Sequence, residues 1–339
     1  MAKHVYGIDL GSYEIKVYDQ EKDTIWTEKN VVAVSPDGKL IAVGDQAYEM
    51  YEKTPPNINI IFPMKEGVIS DFQHIQDLLQ YLLSSGRSFA TGGEYTIAVP
   101  ADVTELEKRA FYDLLVHSSA KARSVNVIER GIADAVGLGL DVRRCDGVFV
   151  VNFGGETTEL SVLAAGGLVF NQRLKIGGRQ MDKEIVDRIR RHYNFLIGMK
   201  TAEKLRRRVG INDDRSGRTM EIAGRDLLTG MPTTKNIPAS LVRASLKELL
   251  EKCVSSIDAL IDRTPPEINH IIQTDGLYVT GGLARMEGLP YYLNRATGLH
   301  IHTSRKPKYC SVRGLKDIVG VEELKNLTYS MQEETDRWM

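Results

Sequence analysis

Cysteine is scarce: Cys145, Cys253 and Cys310 are odd in number, far apart and form no CxxC pair. That excludes a disulfide framework and a cysteine zinc site, and it suits a reducing compartment. Excess charge is missing too, with 44 Lys and Arg against 45 Asp and Glu and a formal charge of -1, so nothing favours nucleic acid as a partner. No apolar run approaches the roughly 18 residues that cross a bilayer. The opening MAKHVYGIDLG enters strand-like sequence without the charged and then apolar layout of a secretion signal. The expectation is a soluble chain, at most peripheral to a membrane. His74 and His192 lack second ligands at metal spacing, and the basic runs at 188–191 and 204–208 read as solvated helix faces.

At 339 residues the chain exceeds one simple core and suggests two domains. Residues 4–18, HVYGIDL and EIKVY around a glycine turn, predict a hairpin. The same outline returns at 147–163 in GVFVVNFGGETTELSVL, an internal duplication offset by about 143 residues. Helical spacing at 74–86, 103–119 and 240–264 alternates with strand-like segments at 94–100, 124–130 and 276–282, an α/β pattern.

Three turns concentrate glycine beside polar residues: DLGSYEIK at 9–16, NFGGETTE at 152–159, and TGGL at 280–283. Phosphate recognition needs backbone N–H groups that converge without a side chain in the way, which glycine turns provide. One such turn is weak evidence, because glycine also simply reverses strands. Three, two of them in duplicated hairpins, point to a nucleotide.

With these turns the chain carries FPMKEGVISDF (62–72), VPADVTELEKRA (99–110), IGGRQMDKEI (176–185), YNFLIGMKTAEKL (193–205), AGRDLLTGMP (223–232), TPPEI (264–268) and VTGGLARMEGL (279–289). In these blocks it resembles the actin and DnaK-type ATPase superfamily, and within it the bacterial actins of the MreB/Mbl family. The resemblance implies an α/β actin-like ATPase fold, with two duplicated domains forming four subdomains around a central cleft. Domain I would span 1–142 with a small subdomain at about 32–64, and domain II 143–313 with one at about 179–240; residues 314–339 would return to domain I. It also implies ATP or ADP with Mg²⁺, and self-association into filaments, alone or as a co-polymer with a paralogue. Such filaments lie in the cytoplasm against the inner face of the cell membrane, beside membrane-bound cell-wall elongation proteins, and organise rod shape. The resemblance places Ser12, Tyr13, Glu14 and Lys16 in the first phosphate loop and Gly155, Glu156 and Thr157 in the second. Glu203, Lys204, Leu205 and Arg206 fall on the adenosine helix; Gly282, Leu283, Ala284 and Arg285 fall on the adenosine loop; and Asp9 is the acid associated with the metal through water. Phe89, in the loop at 84–93, is the residue for an anionic membrane surface.

Departures cluster in the site. Tyr13 and Glu14 replace small or neutral residues of the family's DLGTANT, Asn152 replaces the acid of DIGGGTTE, and Glu156 replaces its third glycine. In VIERG the family's water-activating glutamate gives way to Arg130, preceded by Glu129. A guanidinium stays protonated at any working pH and cannot act as general base. Arg130 is expected to pair with phosphate or with Glu156, and hydrolysis to be weakened or absent. Two other readings stay open here: an active ATPase with altered roles for Lys16 and Glu129, and a PilM- or FtsA-like membrane-complex adaptor.

Overall fold

A computed structural model of the chain describes residues 4–84, 92–117, 120–212 and 217–331. Strands Val5–Leu10, Glu14–Asp19 and Thr24–Lys29 form an antiparallel meander, and Glu94–Val99 and Ser124–Glu129 add parallel strands on the other side of Val5–Leu10. In the second half, strands Val148–Phe153, Thr158–Ala164 and Gly167–Leu174 repeat the meander, and Leu277–Thr280 and Ile301–Thr303 repeat the parallel additions. Both five-stranded sheets share one order, so the duplication extends beyond the hairpins to the whole topology. Val5 and Val148, which open equivalent strands, are the expected 143 residues apart.

The small subdomain expected at about 32–64 holds a sheet of Val32–Val34, Leu40–Val43 and Asn59–Ile61 with the helix Gly44–Met50. The one expected at about 179–240 holds helices Gly178–Tyr193 and Met199–Val209 and a sheet of Phe195–Leu196, Thr219–Asp226 and Pro232–Pro238. The amphipathic stretch at 240–264 forms the helix Ala239–Arg263, which buries Val242, Leu246, Leu249, Leu250, Cys253, Ile257 and Leu260 at spacings of three and four. Thr104 and Glu107 form a reciprocal capping box at the start of Glu105–Val116, where the sequence placed capping residues.

Two boundaries differ from expectation. The strand foreseen over 124–130 ends at Glu129, and Arg130 begins the helix Arg130–Gly137. The division at 313/314 falls inside the helix Cys310–Gly320, which packs on Val5–Leu10 and Glu14–Asp19 of the first sheet. The helix Arg130–Gly137, which follows the first sheet's last strand, packs in turn on Val148–Phe153 and Thr158–Ala164 of the second. Each half thus sends its closing helix to the other, and the two helices cross between the sheets. Glycine sets that crossing: a Cβ on Gly314 would lie 1.8 Å from the Ala133 carbonyl oxygen, and one on Gly137 2.0 Å from that of Cys310. The cleft opens beside this crossing, at the turns that end the two duplicated hairpins.

Candidate functional site

A cleft of about 510 Å³ lies between the halves. Of the residues singled out from sequence, Asp9, Ser12, Tyr13, Glu14, Lys16, Arg130, Gly155, Glu156, Thr157, Glu203, Arg206, Gly282, Leu283 and Arg285 line it. Glu129, Lys204, Leu205 and Ala284 are not among the lining residues. Phe89 lies outside the described residues. The two phosphate-type loops meet, since a Cβ on Gly155 would lie 2.7 Å from the Cβ of Tyr13.

The floor of the cleft follows from strand register. Asp9 and Lys16 stand opposite each other in the first hairpin, and their side chains pair at 2.8 Å. Asn152 and Glu159 hold the equivalent positions in the second. Arg130, at the start of its helix, reaches between the hairpins: Nε lies 3.4 Å from Asp9 Oδ1, and Nη1 pairs with Glu159. All four ionised side chains are buried. Burial opposes the charge of Asp9, but Lys16 and Arg130 outweigh it and hold the carboxyl below its ordinary range. Burial likewise opposes the Arg130 charge; Glu159 and Asp9 more than offset it and keep the guanidinium protonated. The partner of Arg130 is therefore Glu159 with Asp9, not the expected Glu156. Glu159 lies on the strand Thr158–Ala164 opposite Asn152, whereas Glu156 lies in the turn before that strand.

Glu156 turns instead to the first half. Its carboxylate accepts the Glu66 N–H at 2.7 Å and pairs with Arg179 at 3.3 Å. Glu66 and Gly67, both at positive φ, form the tip of the hairpin Met64–Ile69, which reaches across the cleft. Glu14 pairs with Lys29 and Lys308, so its charge is neutralised beside the first loop. Burial opposes its ionisation, but these lysines hold it below the usual range.

Behind Asn152 sits Asp134, buried on the crossing helix. It accepts from Asn152 Nδ2 at 2.6 Å, Thr280 Oγ1 at 3.1 Å and Ser311 Oγ at 2.7 Å. Burial pushes its carboxyl up to about 6, with Asn152 and Ser311 working against the rise. An acid at 152 would place two carboxylates in contact, so the amide and Asp134 belong together physically. No sequence signal pointed to Asp134.

Across the cleft mouth, Tyr13 and Tyr48 both donate to the Glu203 carboxylate, at 3.0 and 2.9 Å. Arg207 pairs with the same group at 2.7 Å. Glu52 accepts the first backbone N–H groups of the helix Met199–Val209, from Met199 and from Lys200. Lys200 Nζ reaches back to the Tyr48 carbonyl. Tyr48, Glu52 and Lys200 were not foreseen, since their partners lie about 150 residues away. Arg206 is held by both oxygens of Asp182, at 2.7 and 3.1 Å.

The resemblance implied Mg²⁺, a cation that demands oxygen ligands in near-octahedral array. The residues present do not fit it. Both oxygens of Asp9 face cations, position 152 directs an amide N–H₂ toward Asp134, and position 130 is itself cationic. Among the described residues no cluster of three or more Asp, Glu, His or Cys side chains is disposed to hold a metal.

The family model for MreB/Mbl protein matches residues 3–327. Cell shape-determining protein Mbl of Bacillus cereus is 32% identical over 312 residues, covering 91% of this chain and 93% of that one. Cell shape-determining protein MreB of Escherichia coli is 33% identical over 316 residues, covering 91% and 90%. The structure of MreB5 of Spiroplasma citri bound to AMPPNP superimposes with a TM-score of 0.89 at 28% identity, over 96% of this chain and 98% of that one. The MamK double helical filament shares the fold at a TM-score of 0.79 and 18% identity, over 94% and 99% of the two chains. Duplicated sheets, a cleft between glycine turns and these matches agree: the chain belongs to the MreB/Mbl family of actin-like proteins.

Proposed function

We propose that the chain is a bacterial actin subunit that holds ATP or ADP in the central cleft, hydrolyses it slowly or not at all, and assembles into filaments. One observation carries the catalytic half of this reading: Arg130 lines the cleft at the position of the family's water-activating glutamate, fixed by Glu159 and Asp9. The carboxylates beside it, Asp9 and Glu159, are tied up in ion pairs with Arg130 itself and, for Asp9, with Lys16. Glu129 does not line the cleft, and Asp134 is covered by Asn152 and Ser311. Nucleotide holding is supported by the lining shared with the glycine turns, and by the AMPPNP and ADP bound in the MreB5 structures. Adenosine would sit among Glu203, Arg206 and the turn Gly282–Arg285, and phosphates between the two hairpin loops.

Filament assembly is supported by the family and by the shared fold of the MamK filament. Self-association, alone or with a paralogue, is the form it would take. Membrane-bound cell-wall elongation proteins are the proposed partners, and the inner face of the cell membrane the proposed location. No helix among the described residues is long and apolar enough to cross a membrane; Phe89 is the residue proposed for contact with an anionic surface. The match over residues 3–327 supports this reading over an adaptor. Sedimentation and electron microscopy with ATP, combined with phosphate release, test it. Filaments with little released phosphate are expected; a chain that stays monomeric with nucleotide, lipid and a paralogue present contradicts the filament reading.

A further inference from the structure

We infer that the cleft takes its nucleoside di- or triphosphate free of any divalent metal, with the Lys16 ammonium and the Arg130 guanidinium supplying the positive charge a metal would bring. The inference rests on the nucleotide-holding reading above and specifies the ionic form of the ligand.

Charge arithmetic is the first ground. The buried floor holds Asp9 and Glu159 against Lys16 and Arg130, two charges of each sign. With a glutamate at position 130 the same floor would carry three carboxylates against one ammonium, and an incoming polyphosphate would need a cation to enter. Arginine in place of glutamate changes the local charge by two units, that of one divalent ion. Most other cations near the floor are already committed: Lys29 and Lys308 to Glu14, and Arg206 to Asp182.

Position is the second. Lys16 Nζ lies 3.8 Å from where a Cβ on Gly11 would stand, so the ammonium sits under the first glycine turn. Arg130 Nη2 lies 3.4 Å from the carbonyl oxygen of Leu10, the residue before that turn. Donor capacity is the third. A guanidinium has five N–H groups, and the contacts of Arg130 to Asp9, Glu159 and Leu10 engage three of its nitrogens with one acceptor each. At least two N–H groups remain, and Lys16 spends one of three on Asp9. The carboxylates thus fix the cations without exhausting them, and phosphate oxygens can take the remaining donors with charge-assisted bonds.

The test is calorimetric titration of the full-length chain with ADP, once in excess MgCl₂ and once in excess EDTA. The Kd is expected to agree between the two buffers within about threefold, and Arg130→Gln is expected to weaken binding in EDTA by about tenfold or more. Lys16→Gln, which leaves Arg130 on both its carboxylates, gives the same readout should the arginine variant fail to fold. Binding that tightens about tenfold or more on adding Mg²⁺ overturns this inference and leaves nucleotide holding intact. Unchanged affinity in both variants also overturns it, and absence of binding in either buffer overturns the inference together with the reading beneath it.

Discussion

Arg130 concentrates the consequences of this sequence in one side chain. Its removal would leave Glu159 buried and unpaired and Asp9 with Lys16 alone. Loss of one partner from a buried ionic cluster costs about 3–5 kcal/mol, so Arg130→Met should lower the urea midpoint sharply. A midpoint within experimental error of the parent would show that the cluster is not formed. Asp134 carries a different signature. Its carboxyl, pushed up to about 6 by burial, lies above the ordinary value of 3.8 for the unfolded chain, so the folded state binds the proton more tightly. The stability contributed by protonated Asp134 is complete below pH ~4 and is lost as pH rises through ~6, on the order of 3 kcal/mol. Asp134→Asn should flatten the pH dependence of unfolding between those values. Denaturant titrations of parent and variant at the two ends of that window measure it, and parallel curves would sink the assignment.

Elements are held by two kinds of contact. At the crossing of Arg130–Gly137 with Cys310–Gly320, an alanine at 314 would drive its Cβ into the Ala133 carbonyl. Alanine normally stabilises a helix by ~1 kcal/mol over glycine; Gly314→Ala should instead destabilise by about 3 kcal/mol or fail to fold, readable as a fall in urea midpoint. At the cleft mouth, the helix Met199–Val209 lacks a side-chain cap of its own, and Glu52 from the other half serves in its place. Glu52→Ala removes a cap worth about 1 kcal/mol, so exchange of the Met199 and Lys200 amides should quicken roughly fivefold. Unchanged exchange there would mean that the two small subdomains do not meet in solution. These elements also mark what sequence can and cannot disclose. Both hairpins, their offset, the capping box and the long helix were legible because each rests on local periodicity or on a turn residue. Glu52, Tyr48 and Glu66 were not, because their meaning lies in contacts between distant segments. Glu159 falls between: the offset of 143 residues makes it the counterpart of Lys16, opposite Asn152 as Lys16 is opposite Asp9, and that signal was available although the contact with Arg130 was not.

In the molecule as a whole, an actin-type body encloses a cleft whose ionic floor is self-neutralised. Family membership and shared topology describe the body. The floor sets the expected chemistry, with a protonated guanidinium where a base is required and salt-bridged carboxylates where a metal would bind. Assembly should then respond to nucleotide occupancy and not to turnover, so the critical concentration with ATP should match that with AMPPNP. A polymer that assembles with ATP and disassembles as phosphate accumulates would show an active cycle. The most direct measurement is the identity of nucleotide recovered from the protein: incubate purified chain with ATP, separate it from free nucleotide, denature it and analyse what is released. Intact ATP at close to one per chain is expected; ADP in its place, with matching free phosphate, would show that the cleft hydrolyses what it holds.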